Sequence, residues 1–161
     1  MKYETREITS LDDRSYICEK ILRSLPDWFG IEESLIDYVN QARILPTYAV
    51  FDGDIAVGFA SIKPHSAYTA EINVMAVLPE YHRKGIGVRL VDCCEQHCHK
   101  NKMEFLTVKT LDELAKSEPY DKTRQFYYKM GFKPLEVFPL LWDESNPCLF
   151  LVKHIDVDKE R

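Results

Sequence analysis

The hydrophobic pattern switches several times along the chain between strand and helix signals. Residues 3–8 are the first strand candidate, and Asp12 or Asp13 is expected to cap a helix ending near residue 25, where Pro26 punctuates it. Leu35, Ile36 and Val39 mark a second short helix over 32–42. Residues 47–51 and 55–62 are β-rich runs around Asp52-Gly53, a strong hairpin signal, and 71–78 is a further strand ended by Pro79. From 85 to 101 the period becomes helical, with Leu90, Val91, Cys94 and Cys98 near one face at spacings of three and four. Strand returns at 105–110 and helix at 121–130, which Gly131 closes as a C-terminal cap. Residues 133–138 and 148–154 supply the last two strands. The order β-α-α-β-β-β-α-β-α-β-β predicts an α/β fold of mixed, α+β-like type, a mixed sheet with helices on its faces. With no repeat, linker or low-complexity segment, residues 1–161 read as a single domain.

Composition narrows the class. At 161 residues, 45% hydrophobic and 29% charged, the chain has enough apolar surface to offset the entropy of ordering, which excludes a disordered protein. Its longest apolar runs, such as 74–78, are about five residues against the roughly 20 of a spanning helix, so no membrane association is expected. The first ten residues lack the apolar core of a signal peptide. A net charge of −5 disfavours nucleic acid as a partner. Five cysteines, an odd number with Cys93, Cys94 and Cys98 crowded together, read as reduced thiols of a cytoplasmic protein.

Candidate chemistry concentrates after Pro79. There a strand stops, a basic loop follows, and His82-Arg83-Lys84-Gly85-Ile86-Gly87-Val88 opens an amphipathic helix. Free N–H groups at a helix start suit an anion, and glycines let a phosphate approach the backbone. Arg83 and Lys84 add charge suited to a pyrophosphate. A bare Gly-x-Gly also occurs simply to ease a helix start. The loop is neither a P-loop, which needs Gly-Lys-Ser/Thr, nor a dinucleotide fingerprint, because Leu90 stands where the third glycine belongs.

His82 to Gly87 resembles the Gln/Arg-x-x-Gly-x-Gly/Ala loop of the GCN5-related N-acetyltransferase (GNAT) family, with His82 where Gln or Arg is usual. Phe126-Tyr127-Tyr128-Lys129-Met130-Gly131-Phe132 is similar to that family's Phe-Tyr-x-Lys-x-Gly-Phe, and Glu71 to Val77 to its cofactor-edge strand. The resemblance covers residues 47–138, and the element order extends it over the whole chain. The resemblance implies a central twisted mixed sheet of about six to seven strands flanked by about four helices. It also implies direct transfer of acetyl from acetyl-CoA, without a metal, to a primary amine of a small molecule or peptide.

The same resemblance distributes the roles. The backbone N–H groups of Arg83, Lys84, Gly85, Ile86, Gly87 and Val88 would take the pyrophosphate. Met75, Ala76 and Val77 would pair with the pantetheine arm, the Met75 amide polarising the thioester carbonyl. Glu71 holds the position of a general base in some members; the alternatives are a substrate-binding carboxylate or a solvated strand-end residue. Tyr127 matches the acid that reprotonates the thiolate, although Thr123, Phe126, Tyr127 and Met130 also form a plain packing stripe.

Trp28 and Phe29, in the loop between the first two helices, are read as a wall of the acceptor cleft or as a staple between helices. The tail 140–148 is read as the other cleft wall or as a homodimer contact. Cys93, Cys94, His97, Cys98 and His99 have a metal-like composition but face different ways on a helix, so they are read as packing residues. A silent acyl-CoA-binding module of the same fold is the competing reading.

Overall fold

The computed structural model describes residues 2–157. Among the described residues, seven strands and four α-helices make the mixed α/β fold expected. They divide into two compact units, one running up to Lys63 with Ile72–Gln96, the other comprising Pro64–Glu71 and the chain from His97.

The first unit holds β1 (Tyr3–Glu7), α1 (Leu11–Arg23), α2 (Glu32–Ile44), β2 (Thr47–Asp52) and β3 (Ile55–Pro64). It also takes most of β4 (Thr69–Val77) and of α3 (Ile86–Lys100). Its strands lie in the order β1-β2-β3-β4. The Asp52-Gly53 signal is borne out: Asp52 pairs with Ile55, leaving a two-residue hairpin loop.

One expectation at α1 needs correcting. Its cap is Ser10, whose hydroxyl accepts from the Asp13 amide, while Asp12 and Asp13 lie in the first turn. There their charges favour the positive helix end, as Lys20 and Arg23 favour the other. Ile17, Cys18, Ile21 and Leu22 form the buried stripe of α1. They join Leu35, Val39 and Ala42 of α2 and Ala49, Phe59, Val74 and Ala76 of the strands in one apolar cluster. Burying each large aliphatic side chain contributes roughly 1.5–3 kcal/mol.

The second unit holds β5 (Phe105–Leu111), α4 (Glu118–Lys129), β6 (Lys133–Asp143) and β7 (Asn146–His154). β7 lies between β5 and β6, antiparallel to both. Helix α4 starts three residues earlier than expected, because Pro119 in its first turn fits a helix start. Arg124, though charged, is buried on this helix: it donates to the Leu111 carbonyl and pairs with Asp121. The strand expected over 133–138 runs further, into the tail 140–148. The tail's residues up to Asp143 extend β6, and Asp143 pairs with Asn146 across a tight turn. The Asp143 carboxylate accepts from the Ser145 amide and the Asn146 side chain, which closes the hairpin.

Candidate active site

The phosphate-type loop follows from the way β4 ends. After Val77, Pro79–Tyr81 make one 3₁₀ turn, with the Tyr81 amide donating to the Leu78 carbonyl at 2.9 Å. Arg83 and Gly85 then adopt left-handed backbone, φ +62° and +80°. Such alternation turns successive N–H groups toward a common side, the concavity that binds anions. Glycine at 85 answers to this φ rather than to crowding, since a Cβ there would meet nothing within 4 Å.

The Arg89 amide donates to the Gly85 carbonyl at 3.2 Å, the first bond of α3. The amides from Gly85 to Val88 therefore precede the intrahelical ladder. His82, Arg83, Lys84 and Gly85 are all exposed, whereas Ile86 is buried and anchors the helix start. These features fit a diphosphate. Lys84 rests its ammonium 5.3 Å from the Tyr81 ring centre, and Tyr81 donates to Asp52 at 2.7 Å.

The His82 side chain does something the motif did not reveal. Its Nε2 stands 2.8 Å from the Val77 carbonyl, and because a carbonyl only accepts, that nitrogen carries the proton. Its ring meets Trp28 edge to face at 5.9 Å and 86°. Trp28, His82 and Val77 are thus brought into one chain of contacts. Phe29 is not part of it; it packs edge to face on Tyr38 of α2 at 6.0 Å, the staple geometry. Met75 and Val77 are half-buried and Ala76 is buried along β4.

Glu71 is neither at the strand end nor solvated. It is the third residue of β4 and only 4% exposed. Its Oε1 lies 2.6 Å from His65 Nε2 and 3.3 Å from Lys109 Nζ. The Lys109 ammonium also sits 5.2 Å from the centre of the Phe150 ring. Beside them Cys148 is buried, and burial pushes its thiol up to about 11, opposed by Lys109 and reinforced by Glu71. His65 and Lys109 were missed in the sequence, where no spacing connects either with Glu71.

Tyr127 is buried, with its ring 5.4 Å from those of both Phe126 and Phe132. The end of α4 explains this. Gly131 takes φ +96° and donates to the Tyr128 carbonyl at 3.1 Å, while Phe132 donates to Tyr127 at 3.0 Å. That is the Schellman arrangement, whose usual apolar contact is here the Tyr127–Phe132 ring pair. The C-terminal glycine expected at 131 is therefore borne out.

Cys94 and Cys98 are buried on α3, and Cys93 is half-buried. Burial and the Asp92 charge raise the Cys93 thiol. No helix among the described residues is long and apolar enough to cross a membrane.

Comparison with known proteins places the chain in a family. The family model described as the acetyltransferase (GNAT) domain matches residues 45–134. A protein of the GNAT family from Desulfovibrio desulfuricans superposes with a TM-score of 0.80 at 17% identity, covering 96% of this chain and 99% of the other. An aminoglycoside 6′-N-acetyltransferase complexed with coenzyme A gives 0.76 at 20% identity, covering 95% and 97%. The ribosomal-protein-S18-alanine N-acetyltransferase of Escherichia coli gives 0.73 at 14% identity, covering 99% and 97%. No curated protein matches the sequence. At these identities the structures speak for the fold alone, but the family model spans more than half of the chain, and this chain belongs to the GNAT acetyltransferase family.

Proposed function

We propose that this protein is a cytoplasmic N-acetyltransferase, a single domain over 1–161, that moves acetyl directly onto a primary amine of a small molecule or peptide. Acetyl-CoA supplies the activated acetyl thioester. The observation that carries the reading is the exposed, left-handed pair Arg83 and Gly85 leading into the first turn of α3, in a chain of this family. Amides 83–88 hold the pyrophosphate, and the backbone of Met75, Ala76 and Val77 lines the pantetheine arm. His82 and Trp28 fix the carbonyl of Val77 at the end of that strand.

Glu71 supplies the negative charge that favours loss of the amine proton, and the Tyr127 hydroxyl returns a proton to the leaving thiolate. Much of the acceleration comes from holding amine and thioester together. A coenzyme A complex of one structural relative supports the donor, and the amines named for two relatives support the acceptor class. The test is free-thiol release from acetyl-CoA with polyamines, aminoglycosides, amino acids and lysine or N-terminal peptides. Release with one class identifies the acceptor. A cofactor-induced rise in Tm without thiol release from any amine would leave the silent binding module instead.

A further inference from the structure

Within the proposed transferase, on which this inference rests, Glu71 is badly placed to receive a proton itself. Its side chain is 5% exposed, and one carboxylate oxygen already accepts from both His65 and Lys109. The His65 side chain is 39% exposed. It sits on a braced turn between β3 and β4: its amide donates to the Thr69 carbonyl at 2.9 Å, and Ser66 Oγ accepts from the amides of Tyr68 and Thr69. Lys109 holds an ammonium against the carboxylate, so Oε1 acts as acceptor and His65 Nε2 as donor at 2.6 Å. A neutral imidazole with its proton on Nε2 has its lone pair on Nδ1.

We propose that His65 Nδ1, held in this tautomer by Glu71, is the atom that accepts the proton of the substrate ammonium. The N–H bond of the ammonium breaks, its electron pair stays on the amine nitrogen, and the proton forms the Nδ1–H bond of an imidazolium. Glu71 stabilises that cation, and the proton later passes to water. An imidazole suits this work because it changes charge in the neutral range. The charged or titratable groups around Glu71 are His65 of the turn, Lys109 of β5 and, electrostatically, Cys148 of β7.

The decisive variant is His65→Gln. Glutamine places an amide N–H2 near Nε2, so Glu71 keeps its donor, but nothing replaces the Nδ1 lone pair. Expected is a loss of about 10²-fold or more in kcat/KM at pH 7. The acetyl-CoA-induced rise in Tm should be kept, and the deficit should shrink at high pH, where the amine is already neutral. Wild-type turnover and pH profile in His65→Gln would overturn the proposal and leave His65 as a brace. Nitrogen-15 NMR of wild-type histidines supplies a second measurement: the neutral Nε2–H tautomer is expected at His65, and Nδ1–H overturns the proposal. A wild-type chain that releases no thiol with any amine overturns the transferase reading itself, and the base with it. The wild-type control therefore tells the two failures apart.

Discussion

Gly58 of β3 leaves the space into which Ile86, the first residue of α3, packs. A Cβ at position 58 would stand 2.8 Å from Ile86 Cγ2, 3.2 Å from Leu90 Cδ1 and 3.3 Å from the Ala76 carbonyl. The height of the helix start over the strand, and with it the position of the 83–88 amides, depends on a missing methyl group.

Gly58→Ala is therefore expected to cost about 1–3 kcal/mol, the usual penalty for overpacking a filled core. The same displacement should weaken acetyl-CoA binding, although residue 58 is not one of the residues assigned to the cofactor. Urea denaturation and calorimetric titration measure the two effects. Wild-type values for both would show that Ile86 and Leu90 yield without moving α3.

Gly87→Glu places a bulky negative side chain in the first turn of α3, where the pyrophosphate is assigned. Ligand linkage raises Tm whenever acetyl-CoA binds the folded chain alone, so wild type should show a shift and this variant none. A shift equal to that of wild type would remove the 83–88 loop from the cofactor site.

Tyr127→Phe keeps the ring that packs on Phe126 and Phe132 and deletes only the hydroxyl. Stability should change by about 1 kcal/mol at most, the worth of a typical hydrogen bond. Turnover should fall tens-fold or more where thiolate departure limits the rate, and less where product release does. Tyr128→Phe is the control and should stay near wild type. Equal rates in both variants would return Tyr127 to the core alone.

Alkaline pH should loosen the fold through buried and half-buried acids whose protonated forms the fold favours. Burial raises Cys18 to about 12 and Cys148 to about 11, and burial followed by the Glu7 charge raises Tyr48 to about 12. A raised acid adds stability below its unfolded value and loses it as pH climbs toward the folded one, because the unfolded chain then binds fewer protons. Stability should thus decline from about pH 9 upward, the ordinary range of a thiol being near 8.5. Urea midpoints across pH 7–11 check the direction. Half-buried Cys93 should be alkylated in the native protein before fully buried Cys18 and Cys148.

Much was legible along the chain because its signals are local. The stripe Ile17, Cys18, Ile21 and Leu22 made α1 readable, and the Gly53 turn made the β2–β3 hairpin readable. Gly131 announced the cap of α4 and Gly85 the start of the next helix, so the loop before α3 and the end of α4 stood where the sequence put them, each on a left-handed glycine. Two boundaries were misread even at short range, since a serine hydroxyl outcompeted two carboxylates at α1 and Pro119 began α4 early. Tertiary structure alone decided what lies far apart in sequence. The length of β6 came from its antiparallel partner: the strand is largely exposed, so no buried alternation marks residues 140–143. Lys109 reaches Glu71 across 38 residues, and Trp28 reaches His82 only when the helix loop folds back. Whether Glu71 was solvated or buried, and which group faced water beside it, depended on these meetings. A single carboxylate in a strand says what charge is available; only packing decides which neighbour carries the proton.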